Sequence, residues 1–336
     1  MILGRKAEYE EAIALQNRNS IFRSVSLLMN YGIIIVLIIL IALFSVVSKN
    51  FFTKDNLFNV LRQVSIVGIS SVGMTFVLLT GGIDLSVGSI IGVAGVGAAE
   101  LMLMGVGQVP SCLIMLVVCA CLGLINGFFI NKFNIPPLIT TLGTMTALRG
   151  LAYKITGGLP VFGFDRSFAR LGQGYIGVVP IPVIFMLITF AIGVLFIEKT
   201  RFGRYIYGVG GNEEATHLSG INIKRVKYLV YGISGFLSGL AGLVLLARIN
   251  SGQPKGGQGY EMDIITAVVL GGISISGGEG KLLFVIVGVL IMGVLSNGMI
   301  MMNVDDYTQQ IVKGLVLILA VGLDKLSQEQ KAKMTV

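Results

Sequence analysis

Apolar runs close to membrane-spanning length alternate with short polar or glycine-rich breaks along almost the whole chain. A helical span needs about 20 apolar residues at a rise of about 1.5 Å each. Residues 28–47, 57–80, 88–106 and 111–130 fit that length, and a fifth run opens at Pro136 and Pro137 and reaches about residue 155. Further runs cover residues 180–197, 228–247, 282–302 and 307–323. Residues 261–273 are apolar but short and open on Glu261 and Asp263, so they read as a thinned or partly re-entrant eighth span. The pattern predicts an all-α polytopic membrane protein with about ten transmembrane helices. The transmembrane domain covers residues 28–323, between an amphipathic cytoplasmic segment at 1–27 and a polar cytoplasmic tail at 324–336. The first 26 residues lack the apolar core and small-residue cleavage site of a signal peptide.

The breaks differ in character. Residues 80–92 read TGGIDLSVGSIIG, placing Gly81, Gly82, Asp84, Ser86 and Gly88 between two spans. Asp84 has two readings there: an N-cap at a membrane-edge turn, or a charged group with a gating or transport role. A related stretch, GGISISGGEG at residues 271–280, also follows one apolar run and precedes another, as a duplicated half would. Residues 157–179 form a polar outer segment with room for a small helix. Residues 198–227 are the most charged segment. Within it Asn212 is placed to cap a helix that opens on Glu213 and Glu214, continues through Ala215, His217, Leu218 and Ser219, and stops at Gly220. Such a helix lies along the membrane and docks a soluble partner; otherwise the loop only sets topology.

Composition sharpens the class. The chain is 54% hydrophobic and 12% charged, against about 25% charged residues in soluble domains. The 46 glycines fall largely within apolar runs, as in closely packed membrane helices. The net charge of +8 reports topology rather than nucleic-acid binding. Of 25 Lys and Arg residues, 15 fall on the inner side and seven on the outer if the N-terminus is inside, which predicts N-in and C-in. His217 is the only histidine, and Cys112, Cys119 and Cys121 share one apolar run, so no metal site or catalytic triad is expected. GGEGK at 277–281 lacks phosphate-loop spacing and is followed by Leu282. Arg62 near the start of its span is placed to snorkel. Glu100 and Lys313 are the most deeply placed charges, and Lys313 either pairs across the bundle or snorkels.

Four segments, residues 73–92, 126–153, 207–227 and 271–281, resemble the permease subunit of bacterial ABC importers for ribose and related monosaccharides. The resemblance implies a multi-pass subunit of the bacterial cytoplasmic (inner) membrane that pairs with a second copy. It implies two further partners, a cytoplasmic ATPase subunit and an extracytoplasmic sugar-binding protein. ATP and Mg would bind to the ATPase and no cofactor to this subunit. The family's coupling helix would fall on about residues 212–221. A path for a hydroxyl-rich solute needs hydrogen-bonding groups. The candidates are Thr75, Thr80, Ser86, Asn126, Thr140, Thr141, Thr144, Thr146, Ser296 and Asn297. Each has an alternative role as a hydroxyl or amide bonded to helix backbone. The competing functions are the same kind of permease for another sugar or a furanose-like signalling molecule, and an ion-coupled secondary transporter, for which the buried charges are few.

Overall fold

A computed structural model describes residues 32–335; the N-terminal segment 1–27 and the start of the first span lie outside the described residues. The helices are α1 (Gly32–Val47), α2 (Lys54–Leu79), α3 (Val87–Leu103), α4 (Gln108–Phe133), α5 (Pro137–Thr156), α6 (Arg170–Gln173) and α7 (Ile181–Lys199). They continue as α8 (Arg201–Gly211), α9 (Glu213–Leu218), α10 (Ile223–Ile249), α11 (Tyr260–Leu270), α12 (Leu282–Met301) and α13 (Asp306–Thr335). A two-residue antiparallel ladder, β1 (Tyr175–Ile176) with β2 (Val179–Pro180), is the only sheet among the described residues. Among the described residues five helices, α2, α4, α7, α10 and α12, are long and apolar enough to cross a membrane, and α3 and the described part of α1 are shorter apolar helices. The protein is therefore all-α and largely membrane-embedded.

The helix ends follow local chemistry. Thr53 accepts the Asn56 N–H at the start of α2, and Asn222 accepts the Arg225 N–H at the start of α10. Pro136 and Pro137 open α5, where a missing N–H costs nothing. Helices α2 and α10 form the centre: 83% and 72% of their apolar windows are buried, against 33% for α4 and 39% for α7. Helix α10 packs against α2, α3 and α4. The α4 contact is backbone on backbone, since a Cβ on Gly235 would stand 3.0 Å from the Gly123 Cα. Small residues permit this approach where lipid supplies no hydrophobic drive between helices.

The connections gather at two ends. At one, Val161 and Gly252 exchange backbone hydrogen bonds of 2.8 and 2.9 Å. Arg62 bonds within the protein at this end: its guanidinium donates to Gln173 O at 2.9 Å and lies 4.7 Å from the Tyr175 ring centre. The 157–179 segment does hold a small helix, α6, after a 3-10 turn at Arg166–Ala169. At the other end lie the Thr80–Ser86 break, the 271–281 turn, α8, α9 and the end of α13. The polar residues 324–335 are helical. They extend α13, where Gln328 donates to Asp324 one turn back and to Ser274, and Lys325 donates to Ser276.

Lys313 pairs across the bundle. Its Nζ lies 2.7 Å from Asp263 Oδ2, joining α13 to α11, with Asp263 buried. Removing one member of such a pair leaves a buried charge uncompensated. Lys313→Met is expected to destabilise the purified protein by about 3 kcal/mol, and adding Asp263→Asn is expected to recover much of that loss in thermal unfolding in detergent.

Candidate functional site

Asp84 has no exposed surface. One carboxylate oxygen accepts the Ser86 N–H at 3.1 Å and the Ser86 hydroxyl at 2.5 Å; the other accepts the Ser234 hydroxyl of α10 at 2.8 Å. The Ser86 hydroxyl spends its single hydrogen on Asp84, so it accepts from Asn126 Nδ2 of α4 at 2.9 Å. That orientation turns Asn126 Oδ1 toward α5, where Thr144 donates at 2.6 Å. Four elements thus converge on one carboxylate through donors that all point the same way. Asp84 does more than cap the turn into α3: one oxygen accepts the Ser86 N–H just ahead of the helix, and the other bonds across the bundle to Ser234. Beside it, Ile83 O accepts from Tyr231 and from Thr141, each at 3.3 Å.

The two glycine-rich stretches adopt one turn design. Gly81 ends α2 at φ +74°, with Gly81 N–H on Leu78 O and Gly82 N–H on Val77 O. Gly272 ends α11 at φ +81°, with Gly272 N–H on Val269 O and Ile273 N–H on Val268 O. Both are left-handed glycine stops. Two residues on from each diglycine, Asp84 accepts the Ser86 N–H while Ser274 Oγ accepts the Ser276 N–H at 3.1 Å. The turns also touch, since Gly278 N–H donates to Leu79 O at 3.0 Å. Gly210 of α8 fits against that bond, where a Cβ would stand 2.5 Å from Gly278 N. Tyr207 of α8 donates to Gly280 O at 2.8 Å, and burial, with Glu198 nearby, pushes its phenol up.

The 198–227 segment contains two helices. Helix α8 is amphipathic, burying Gly203, Ile206 and Val209, so the loop expected on either side of the short helix is half helix itself. Helix α9 begins at Glu213, with Asn212 Oδ1 accepting the Ala215 N–H at 2.8 Å, and the chain turns at Gly220, φ +81°. Thr216 is its buried anchor, while Glu213, Glu214, Ala215, His217 and Ser219 are exposed and Leu218 is 81% exposed. Lys227 holds both Glu213 oxygens at 2.9 Å. At the surface such a pair contributes little stability, so its effect is to orient α9 on α10. A cleft of about 900 Å³ runs from Asn131 and Asn134 past Glu213 and His217 to Lys224 and Lys227. A second, of about 330 Å³, lies between Gly81, Gly82, Gly211, Asn212, Tyr231 and Ser276, so α9 adjoins the break itself.

The remaining path candidates separate. Thr75 and Thr80 donate to their own helix, to Ser71 O and Val77 O, each at 2.7 Å. Thr146 likewise donates to Leu142 O. Asn297 exchanges amide hydrogen bonds with Asn56 at 2.9 and 3.0 Å, which ties α12 to α2 far from Asp84. Ser296 is buried beside it on α12, and Thr140 Oγ1 is buried without a partner. Gly88 gives room to the Glu261 carboxylate and Gly257 O. Sequence reasoning missed Ser234, Tyr231, Thr216 and Lys227; a serine in a glycine-rich apolar run carries no sign of a carboxylate 150 residues away. Among the described residues no His, Cys, Asp and Glu group is arranged to hold a metal.

A bundle of long apolar helices with a buried polar node and an exposed, capped surface helix defines a membrane transport subunit. Residues 56–321 match the model of a family described as the permease component of branched-chain amino acid transport systems. The chain is 42% identical to the ribose import permease protein of Haemophilus influenzae over 92% of its own length and 97% of the relative's. It is 44% identical to the ribose import permease protein of Escherichia coli K12 over 90% and 95%. It is 40% identical to the L-arabinose transport system permease protein of the same strain over 91% and 93%. No solved structure matches. The chain belongs to this permease family, in its sugar-import branch, as a non-catalytic, multi-pass subunit of an ABC importer in the bacterial inner membrane.

Asp84→Ala leaves three buried donors without their acceptor, at about 1–3 kcal/mol for each unsatisfied group. It is expected to lower the detergent melting temperature sharply. Asp84→Asn, which keeps one acceptor oxygen for Ser86, is expected to fall between Asp84→Ala and the wild type.

Proposed function

We propose that the chain is the membrane subunit of an ATP-driven importer of ribose or a closely related monosaccharide. It works as a pair of copies with a cytoplasmic ATPase that binds ATP and Mg and an extracytoplasmic sugar-binding protein. The relatives named above, which import ribose and L-arabinose, support a pentose as the solute. Helices α1–α5, α7 and α10–α13 make ten crossings with both termini in the cytosol, in keeping with the bias of Lys and Arg toward that side.

The observation that carries the coupling role is the construction of α9. It is capped by Asn212, anchored by Thr216, oriented by Lys227, and presents Glu214, His217 and Leu218 outward. Through the smaller cleft it adjoins Gly81 and Gly82, one turn from Asp84. Residues 212–220 are therefore assigned to ATPase docking, and Gly81, Gly82, Asp84, Ser86 and Gly88 to the element that docking biases. ATP-driven closure of the ATPase pushes on α9 and shifts the balance of outward- and inward-facing states. Asn126, Thr140 and Thr144 adjoin the solute path. Thr75, Thr80, Ser296 and Asn297 act in helix packing.

Leu218→Asp is expected to abolish co-purification of the ATPase while changing permease stability by less than about 0.5 kcal/mol, because the side chain is exposed. In lipid vesicles holding the chain with its ATPase, ribose-loaded binding protein is expected to stimulate ATP hydrolysis and uptake. Stimulation by an arabinose-loaded or other loaded protein alone changes the sugar, and retained ATPase binding by Leu218→Asp removes the docking role of α9.

A further inference from the structure

Helix α5 is held differently from its neighbours. Its principal packing partners are α3 and α4, and its buried positions are Thr140, Thr141, Leu148 and Ala152, only two of them apolar. Polar ties along one face hold it instead. Thr144 donates to Asn126 of α4, Ser89 of α3 donates to Met145 O at 2.8 Å, and Arg149 donates to Pro254 O and Gly256 O at 3.1 and 2.8 Å. Ile139 and Leu142, turned away from α3 and α4, are exposed within the chain.

The Thr144 tie has an unusual property. One hydroxyl hydrogen faces two acceptors, Asn126 Oδ1 at 2.6 Å and Thr140 O of its own helix at 2.8 Å. When α5 moves away from α4, Thr144 keeps a hydrogen bond by turning to Thr140 O. Thr141 has the same option, with Pro137 O at 2.9 Å against Ile83 O at 3.3 Å. Detachment therefore strands no hydroxyl on α5. At the Asp84 network it uncovers Asn126 Oδ1, an acceptor suited to a solute hydroxyl or water, while further along α5 the Ser89 and Arg149 ties are given up as well. The rest of the network, Asn126 to Ser86 to Asp84 to Ser234, stays closed.

We propose that Thr144 is a positioning residue that latches α5 to the Asp84 network, and that release of this latch opens the barrier to a polyhydroxylated solute. The solute part rests on the importer reading above; the latch itself does not. In the mechanism, α5 is the leaf that swings, while α3, α4 and α10 remain joined through Asp84.

The test uses the assembled transporter in vesicles preloaded with radiolabelled ribose, without ATP or binding protein, together with hydrogen–deuterium exchange of residues 137–156. Losing one hydrogen bond that favours the closed state shifts the balance about three- to ten-fold. Thr144→Val is expected to raise passive ribose leak and α5 amide exchange by that factor, with α4 and α10 exchange unchanged. Thr144→Ser is expected to restore both to wild type. Thr144→Ala, which has no bulk to misfit, is expected to behave as Thr144→Val. Wild-type leak and exchange in the folded valine and alanine variants overturn the latch, as does faster exchange spread evenly over α4, α5 and α10. A wild-type chain that binds no ATPase ends the importer reading instead; leak and exchange, measured on the chain alone, still decide the latch.

Discussion

A carboxylate with no exposed surface, inside a bundle that lipid surrounds, must find its hydrogen bonds within the protein. Asp84 meets that constraint with three donors from two residues, Ser86 beside it in the chain and Ser234 on α10. Stranding even one buried polar partner costs more than a made hydrogen bond contributes, so the requirement reaches outward. Ser86 must accept from Asn126, and Asn126 must then present its oxygen to α5. The register of α3, α4 and α10 around the break is set by this chain of obligations, and the glycine contacts between α4 and α10 bring the backbones close enough to fulfil it.

The same region joins two scales of motion. The left-handed glycines Gly81 and Gly272 end α2 and α11 at one end of the bundle, and the turns they open touch each other and the end of α8. Helix α9 follows directly. Its first residues share a cleft with Gly81, Gly82 and Ser276, so under the proposed coupling a push on α9 would reach two helix ends without crossing the apolar core. Apolar packing resists small displacements and gives way in steps, whereas hydroxyls with alternative acceptors rotate at little cost. The molecule places the first kind of contact around α2 and α10 and the second along α5.

The far end has a different design. There Arg62, Arg149 and Arg248 donate to backbone carbonyls or to Asn59, and the segments 157–179 and 248–260 are tied by Val161 and Gly252. The guanidinium groups of Arg62 and Arg149 serve as straps over irregular backbone, whose carbonyls need donors.

The membrane character, the glycine-rich breaks and the short helix opening at Glu213 were legible in the sequence. Each depends on local chemistry: run length against bilayer thickness, a side-chain oxygen at an N-cap, a glycine at a stop. The matching turns after α2 and α11 were legible as a faint echo for the same reason. The sequence could not show that Asp84 also bonds Ser234 across the bundle, or that Asn297 pairs with Asn56. Nor could it show that Lys313 finds Asp263, or that α8 is a helix of its own. The first three join residues between 50 and 241 positions apart, and hydrophobic periodicity has no term for such pairs. The amphipathic pattern of α8 was present but hidden by its charges and glycines, and its small face packs against the end of α7 at Gly203 and against the Leu79–Gly278 contact at Gly210.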